Sequence, residues 1–292
     1  MIKKLKSHIK NSIVQAEIHC SKLNAIDYRF VPKHRVLNML SPTRSDGSFD
    51  AEILIPKELP KEIEVRAPGT EVLKLAGMSS QKTRHFLNNL CSIKDWPINY
   101  LEIGVWAGST FLASGFMNDN SINKMVAIDN FSQFNEEDIK TLFLSNVLKN
   151  LGLPEFDVSK VKLFEENCFE LDVSTLGGPF NVYFYDGPHS LKDTEMSLTY
   201  YDSILDDVFI YIVDDWQEDE IQEGAKKAIK KLGYKIHYEI SLHGKGGSNS
   251  KQKVDSVPYY EHWRDEYWQG QYVAILEKSN SWWQNEKITE DK

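Results

Sequence analysis

The sequence predicts an α/β protein built on a doubly wound sheet of seven strands, with a helical extension ahead of it. Three observations carry this. From about residue 70, short apolar runs alternate with stretches of helical periodicity, the pattern of repeated βαβ units. The informative glycines and acids fall just after the ends of those runs, the edge where open α/β sheets bind ligands. The composition is that of an ordinary globular chain, with 292 residues, 41% hydrophobic and 26% charged, which excludes wholesale disorder and fibrous repeats.

In chain order, residues 1–35 hold eight basic and two acidic residues, a net +6 in a chain whose total is −9. This is either a basic arm for an anionic partner or a helix whose charges are solvated against an acidic body. Residues 41–69 are rich in Pro and Gly and read as irregular structure. Strands are predicted over 98–105, 124–130, 161–165, 180–186, 208–215, 234–240 and 271–278. Helices are predicted over 109–117, 136–150, 190–204 and 218–232, the last closed by Gly233. A Gly/Ser-rich loop insertion spans 242–262. The division expected is an arm and linker over 1–75 and a main domain over 76–292.

The acidic total argues against a dedicated nucleic-acid binder, which needs surplus cations. Cys20, Cys91 and Cys168 are scattered and odd in number, so neither a disulfide framework nor a zinc site is expected, and a reducing, cytoplasmic compartment fits. No apolar run approaches the roughly 18 residues that span a bilayer, and the first residues lack an apolar signal core.

The most specific segment is Leu101-Glu102-Ile103-Gly104-Val105-Trp106-Ala107-Gly108-Ser109-Thr110, a strand, a glycine turn and a helix start. Gly104 and Gly108 allow a sharp turn and close approach of a ligand to bare backbone. It is neither a Walker A loop nor GxGxxG. Asp129 closes the next strand, 25 residues after Gly104, where a carboxylate can accept from ribose hydroxyls. Together they point to a nucleoside cofactor.

LEIGVWAGST with VAIDN resembles the first two motifs of class I S-adenosylmethionine-dependent methyltransferases, over about residues 76–278. The resemblance implies a Rossmann-like sheet whose last strand is antiparallel, and a catalytic domain that binds this cofactor. It places Gly104, Gly108, Ser109 and Thr110 at the methionine part, Glu102 near the amino group, Asp129 at the ribose, and Asn167 and Cys168 at the adenine, with Asn130 among the cofactor contacts. Asp186 is included with the cofactor contacts.

Asp186 ends the fourth strand in YDGPHS, and Asp214 and Asp215 end the fifth in VDDW. Three carboxylates at neighbouring strand ends repel one another. They therefore suggest a hard divalent cation, Mg²⁺, unless Asp214 and Asp215 merely cap the next helix or face solvent. The pattern is similar to the metal-dependent branch containing macrocin-type and aminocoumarin sugar O-methyltransferases and cephalosporin-hydroxylase-like proteins. Where several of those carry a further acid two residues after the strand-four Asp, this chain has Pro188. The general base is then His189 or Asp186. The aromatic stretch YYEHWRDEYWQGQY and Trp282-Trp283 read either as a lid over the cleft or as packing around the last strands.

The function expected is methyl transfer to a hydroxyl of a sugar, glycan or small hydroxylated metabolite, with no nucleic-acid partner. The N-terminal arm offers a route to a homo-oligomer. The competing readings are a hydroxylase-like relative of the same fold and a non-catalytic cofactor-binding interaction protein.

Overall fold

Seven strands form one mixed sheet: β1 (Ile98–Ile103), β2 (Ile122–Ile128), β3 (Val161–Phe164), β4 (Phe180–Tyr185), β5 (Leu205–Val213), β6 (Lys235–Leu242) and β7 (Gln271–Glu277). Their order is β3-β2-β1-β4-β5-β7-β6, with β7 antiparallel to both neighbours and the remaining pairings parallel. The computed structural model describes residues 1–20, 30–32, 62–64, 77–132, 139–150, 158–242, 267 and 269–279. Of the expected linker over 41–69 only Glu62–Glu64 is among them, a short strand paired antiparallel with Phe30–Pro32; the rest lies outside. So do 243–266 of the expected loop and aromatic stretch, Trp268, and Trp282-Trp283.

The central strands read as apolar runs because both faces are covered. Every residue of β4 and β7 is buried. On one face, α1 (Ile2–Cys20), α2 (Gln81–Leu90), α3 (Ser109–Gly115) and α4 (Ile139–Asn150) surround a core containing Ile98, Tyr100, Phe111, Phe143 and Ile275. On the other, α5 (Leu191–Thr199) and α6 (Asp219–Leu232) cover Leu101, Ile103, Tyr183, Tyr211 and Leu276. The alternation of Tyr100 and Leu101 between the two cores is the period-two pleat of β1.

The basic N-terminal segment begins as a helix packed on the body. Leu5, Ile9, Ile13 and Ala16 are buried at helical spacing, the His8 ring meets the Leu90 carbonyl at 2.9 Å, and Lys4 pairs with Asp95 at 2.9 Å.

Two features depart from the sequence expectation. Helix α2 was not anticipated. It is buried nearly all round: Phe86, Leu87 and Leu90 enter the core, and Lys82, Thr83, Arg84, His85, Asn88 and Asn89 are buried with them, so its short apolar stripe is interleaved with polar residues. The expected helix over 190–204 ends at Thr199, a 3₁₀ turn covers Asp202–Ile204, and β5 begins at Leu205 rather than 208. Pairing of Leu205 with Phe180 recruits those polar-looking residues into the sheet.

Candidate active site

Four residues just beyond strand ends line up in one row. The Asp129 amide donates to the Phe164 carbonyl, Gly104 to Ile128, Asp186 to Ile103, and Asp214 to Tyr185, at 3.1, 2.9, 2.9 and 3.0 Å. Each bond continues the parallel ladder by one rung past the strand. The row crosses the place where the chain reverses direction, with β2 on one side of β1 and β4 on the other, where open α/β sheets leave a crevice. Sequence positions as far apart as 104 and 214 meet there through sheet register alone.

The glycine loop is built tightly against this row. Gly104 has φ +81°, and a Cβ there would lie 1.9 Å from the Asp186 carbonyl oxygen. Only glycine satisfies both the left-handed backbone and that approach. Trp106, at φ +44°, donates its amide to Asp129 Oδ2 at 2.7 Å, and Phe131 donates to Oδ1 at 2.6 Å. Asp129 thus braces the loop while each oxygen keeps a further lone pair. Burial raises its pKa, and the two amide bonds oppose that rise.

Glu102 sits beneath the loop, fully enclosed. Its oxygens accept from the Tyr100 and Thr110 hydroxyls at 2.5 and 2.6 Å. Burial lifts its pKa to about 8, outweighing those bonds, so at neutral pH it is largely a neutral acid tying β1 to α3. The Ser109 hydroxyl faces Ser79 at 2.8 Å. Ser79 in turn accepts from Arg84 Nε at 2.8 Å. Gly108 caps α3 at φ +79°.

Beyond β2 and β3 the remaining predicted contacts form local turns. Exposed Asn130 accepts from the Ser132 amide, and exposed Asn167 accepts from the Phe169 amide. The Cys168 side chain is buried. Burial pushes its thiol up to about 12, and its carbonyl accepts from the Tyr201 hydroxyl.

On the other flank of Gly104, Asp186, His189 and Asp215 gather. One ligand atom from each falls within 4.8 Å of the others. His189 Nδ1 is 3.2 Å from Asp215 Oδ2, and Nε2 is 3.7 Å from Asp186 Oδ1. Burial alone would lower the His189 pKa, but the hydrogen bond and charge of Asp186 and the charge of Asp215 hold it near 9. Asp186 and Asp215 are raised chiefly by burial. Asp215 adopts φ +51°, a left-handed turn uncommon outside glycine and found at functional sites.

Asp214 is also raised well above the carboxylate range, by burial first and then by Asp186 and Asp215. Its neighbour is the Gln271 amide on β7, close enough to favour the Asp214 anion. Gln271 is fully buried, and neither of its amide atoms completes a hydrogen bond of ordinary geometry. No sequence signal marks Gln271. Antiparallel insertion of β7 beside β5 puts its first residue at the C-terminal end of β5. Trp216 stacks on Tyr272 with ring centroids 4.2 Å apart, fixing the turn that carries Asp214 and Asp215.

Two carboxylates and an imidazole fit a divalent cation in chemistry and spacing. Asp186 and Asp215 would supply the oxygens and His189 a nitrogen.

No protein-family model and no curated protein matches the chain. Solved structures with a similar fold include TrmN from Thermus thermophilus, at 13% identity and TM-score 0.46, aligned over 71% of this chain and 51% of TrmN. The chain therefore spans about half the length of TrmN. The O-methyltransferase TomG from Streptomyces achromogenes, solved in complex with SAM, is 15% identical with TM-score 0.45, over 70% of this chain and 82% of TomG. A Corynebacterium glutamicum protein is 13% identical with TM-score 0.47, over 74% and 93% of the two chains. The chain has a Rossmann-like fold, and that assignment rests on its own strand order and direction.

Proposed function

We propose that the chain is an S-adenosylmethionine-dependent methyltransferase that methylates a hydroxyl of a sugar, glycan or other small hydroxylated acceptor, assisted by a divalent cation. The observation that carries this reading is the contact of Gly104 with the Asp186 carbonyl. A nucleoside-type loop braced by Asp129 and a cation-type cluster thereby share one crevice. The resemblance of LEIGVWAGST and VAIDN to methyltransferase motifs supplies the cofactor's identity.

In this reading Gly104 and Gly108 give the cofactor bare backbone to lie on, and Asp129 offers its remaining lone pairs to the ribose. Glu102, held neutral, keeps Thr110 and the start of α3 in place. The reaction forms a C–O bond at the acceptor oxygen and breaks the methyl C–S bond of the sulfonium in line, so alignment does much of the work. The acceptor's proton passes to the Asp186 carboxylate or the His189 ring, the two candidate bases. A divalent cation held by Asp186 and Asp215 would orient the acceptor oxygens and ease their deprotonation.

The test is calorimetric binding of S-adenosylmethionine, followed by a screen of hydroxylated sugars and diols for release of S-adenosylhomocysteine. Absence of cofactor binding would sink the reading.

A further inference from the structure

We propose that His189 is a ligand of the divalent cation, shared with Asp186 and Asp215, and that the site takes a transition-series ion such as Mn²⁺, Zn²⁺ or Fe²⁺ in preference to Mg²⁺. This rests on the cation-assisted reading above, and it replaces the all-carboxylate set expected from sequence with a mixed nitrogen–oxygen set.

The compact group among the described residues is Asp186, His189 and Asp215, with ligand atoms within 4.8 Å of one another. Bonds of roughly 2.0–2.2 Å to a cation space its ligand atoms by about 3–4 Å. The ring lies between the two carboxylates, Nδ1 at 3.2 Å from Asp215 and Nε2 at 3.7 Å from Asp186; one ligand atom from each residue falls within 4.8 Å, so one nitrogen can share an ion with both acids once the side chains close by about 1 Å. Asp214, adjacent in sequence to Asp215, is not in that group and has the Gln271 amide beside it.

Gln271 is an independent observation. It is fully enclosed beside Asp214, and its amide contact with that carboxylate falls outside ordinary hydrogen-bond geometry, leaving its oxygen without a donor. A buried amide oxygen left open is costly unless a donor meets it. A cation-bound water or acceptor hydroxyl would be such a donor. One imidazole with two carboxylates suits Mn²⁺, Fe²⁺ or Zn²⁺, whereas Mg²⁺ takes oxygen ligands and keeps several waters.

The experiment uses the full chain, stripped with a chelator and titrated with Mn²⁺ under electron paramagnetic resonance. Pulsed measurements read any nitrogen-14 coupling, and calorimetry with S-adenosylmethionine runs in parallel. The expected result is bound Mn²⁺ with an imidazole nitrogen coupling. His189→Ala should remove that coupling and weaken Mn²⁺ binding by about tenfold or more. Zn²⁺ should displace Mn²⁺ more readily than Mg²⁺ does. His189→Gln, which keeps a polar side chain, and thermal unfolding of both variants separate ligand loss from misfolding. Mn²⁺ bound without nitrogen coupling, a coupling that survives in both variants, or a preference for Mg²⁺ overturns the proposal. So does no binding at all, in which case the imidazolium is the site's own cation. Cofactor binding without cation binding overturns this proposal and leaves the methyltransferase reading standing.

Discussion

Replacing Glu102 with Gln isolates the electrostatic cost of a carboxyl buried under the glycine loop. Gln keeps the shape and can serve both hydroxyl partners, donating to one and accepting from the other. The native group has its pKa raised from 4.5 to about 8. An acid raised on folding binds more protons folded than unfolded across that interval, so its contribution is fully favourable below pH 4.5 and is lost as pH climbs toward 8. Over the whole interval this amounts to roughly 5 kcal/mol, at about 1.4 kcal/mol per pH unit. That is a large share of the stability of an ordinary domain. Urea unfolding of both proteins at steps between about pH 5 and pH 9 reads the effect as the difference between the two stability curves, which cancels the other titrating groups. The native protein should fall relative to Glu102→Gln by about 1.4 kcal/mol per pH unit through pH 5–8 and level off above. Parallel curves would refute the reasoning, because Glu102 would then be ionised in the fold. It would also have to find a cation that Tyr100 and Thr110 do not provide.

Three further outcomes follow from the same geometry. Gly104→Ala places a methyl 1.9 Å from the Asp186 carbonyl at φ +81°. It should cost about 2 kcal/mol or more in stability and at least about tenfold in cofactor affinity; calorimetry within twofold of the native value would contradict it. The double variant Asp214→Ala, Asp215→Ala should lose cation-dependent turnover while calorimetric cofactor binding stays within about threefold, and turnover that persists in a chelator counts against a cation role. Ile9→Ala, at a fully buried position on α1, should destabilise the whole domain by about 2–4 kcal/mol in one cooperative transition. A separate early transition, or no change, would show α1 to be a detachable arm.

Legibility of the site followed the reach of local pattern. The glycine loop and the acids at 129, 186, 214 and 215 were readable because each is punctuation at the end of an apolar run, and a strand end in a parallel sheet is already a place in space. Helix α2 was not readable, since its apolar Phe86, Leu87 and Leu90 are interleaved with buried polar residues; among these, Asn88 bonds the Ala113 and Phe116 carbonyls at 2.8 and 2.6 Å. Gln271 carried no signal, because its meaning comes from the strand inserted beside it. Glu102, expected at the cofactor amino group, accepts one hydroxyl bond at each oxygen beneath the loop, and Ser109 pairs with Ser79.

By itself, then, the sequence determined the α/β class, the placing of most strands, and the set of polar residues at one sheet edge, because apolar periodicity and glycine punctuation are local properties. The tertiary structure alone decided which of those residues meet. Sheet register aligned Asp129, Gly104, Asp186 and Asp214 in one row. The left-handed turn at Asp215 and the position of His189 chose the close trio. Burial decided that Glu102 is largely a neutral acid, and the neighbouring carboxylates raised His189 against the opposing effect of burial. Distance and dielectric are properties of packing, and no spacing along the chain encodes them.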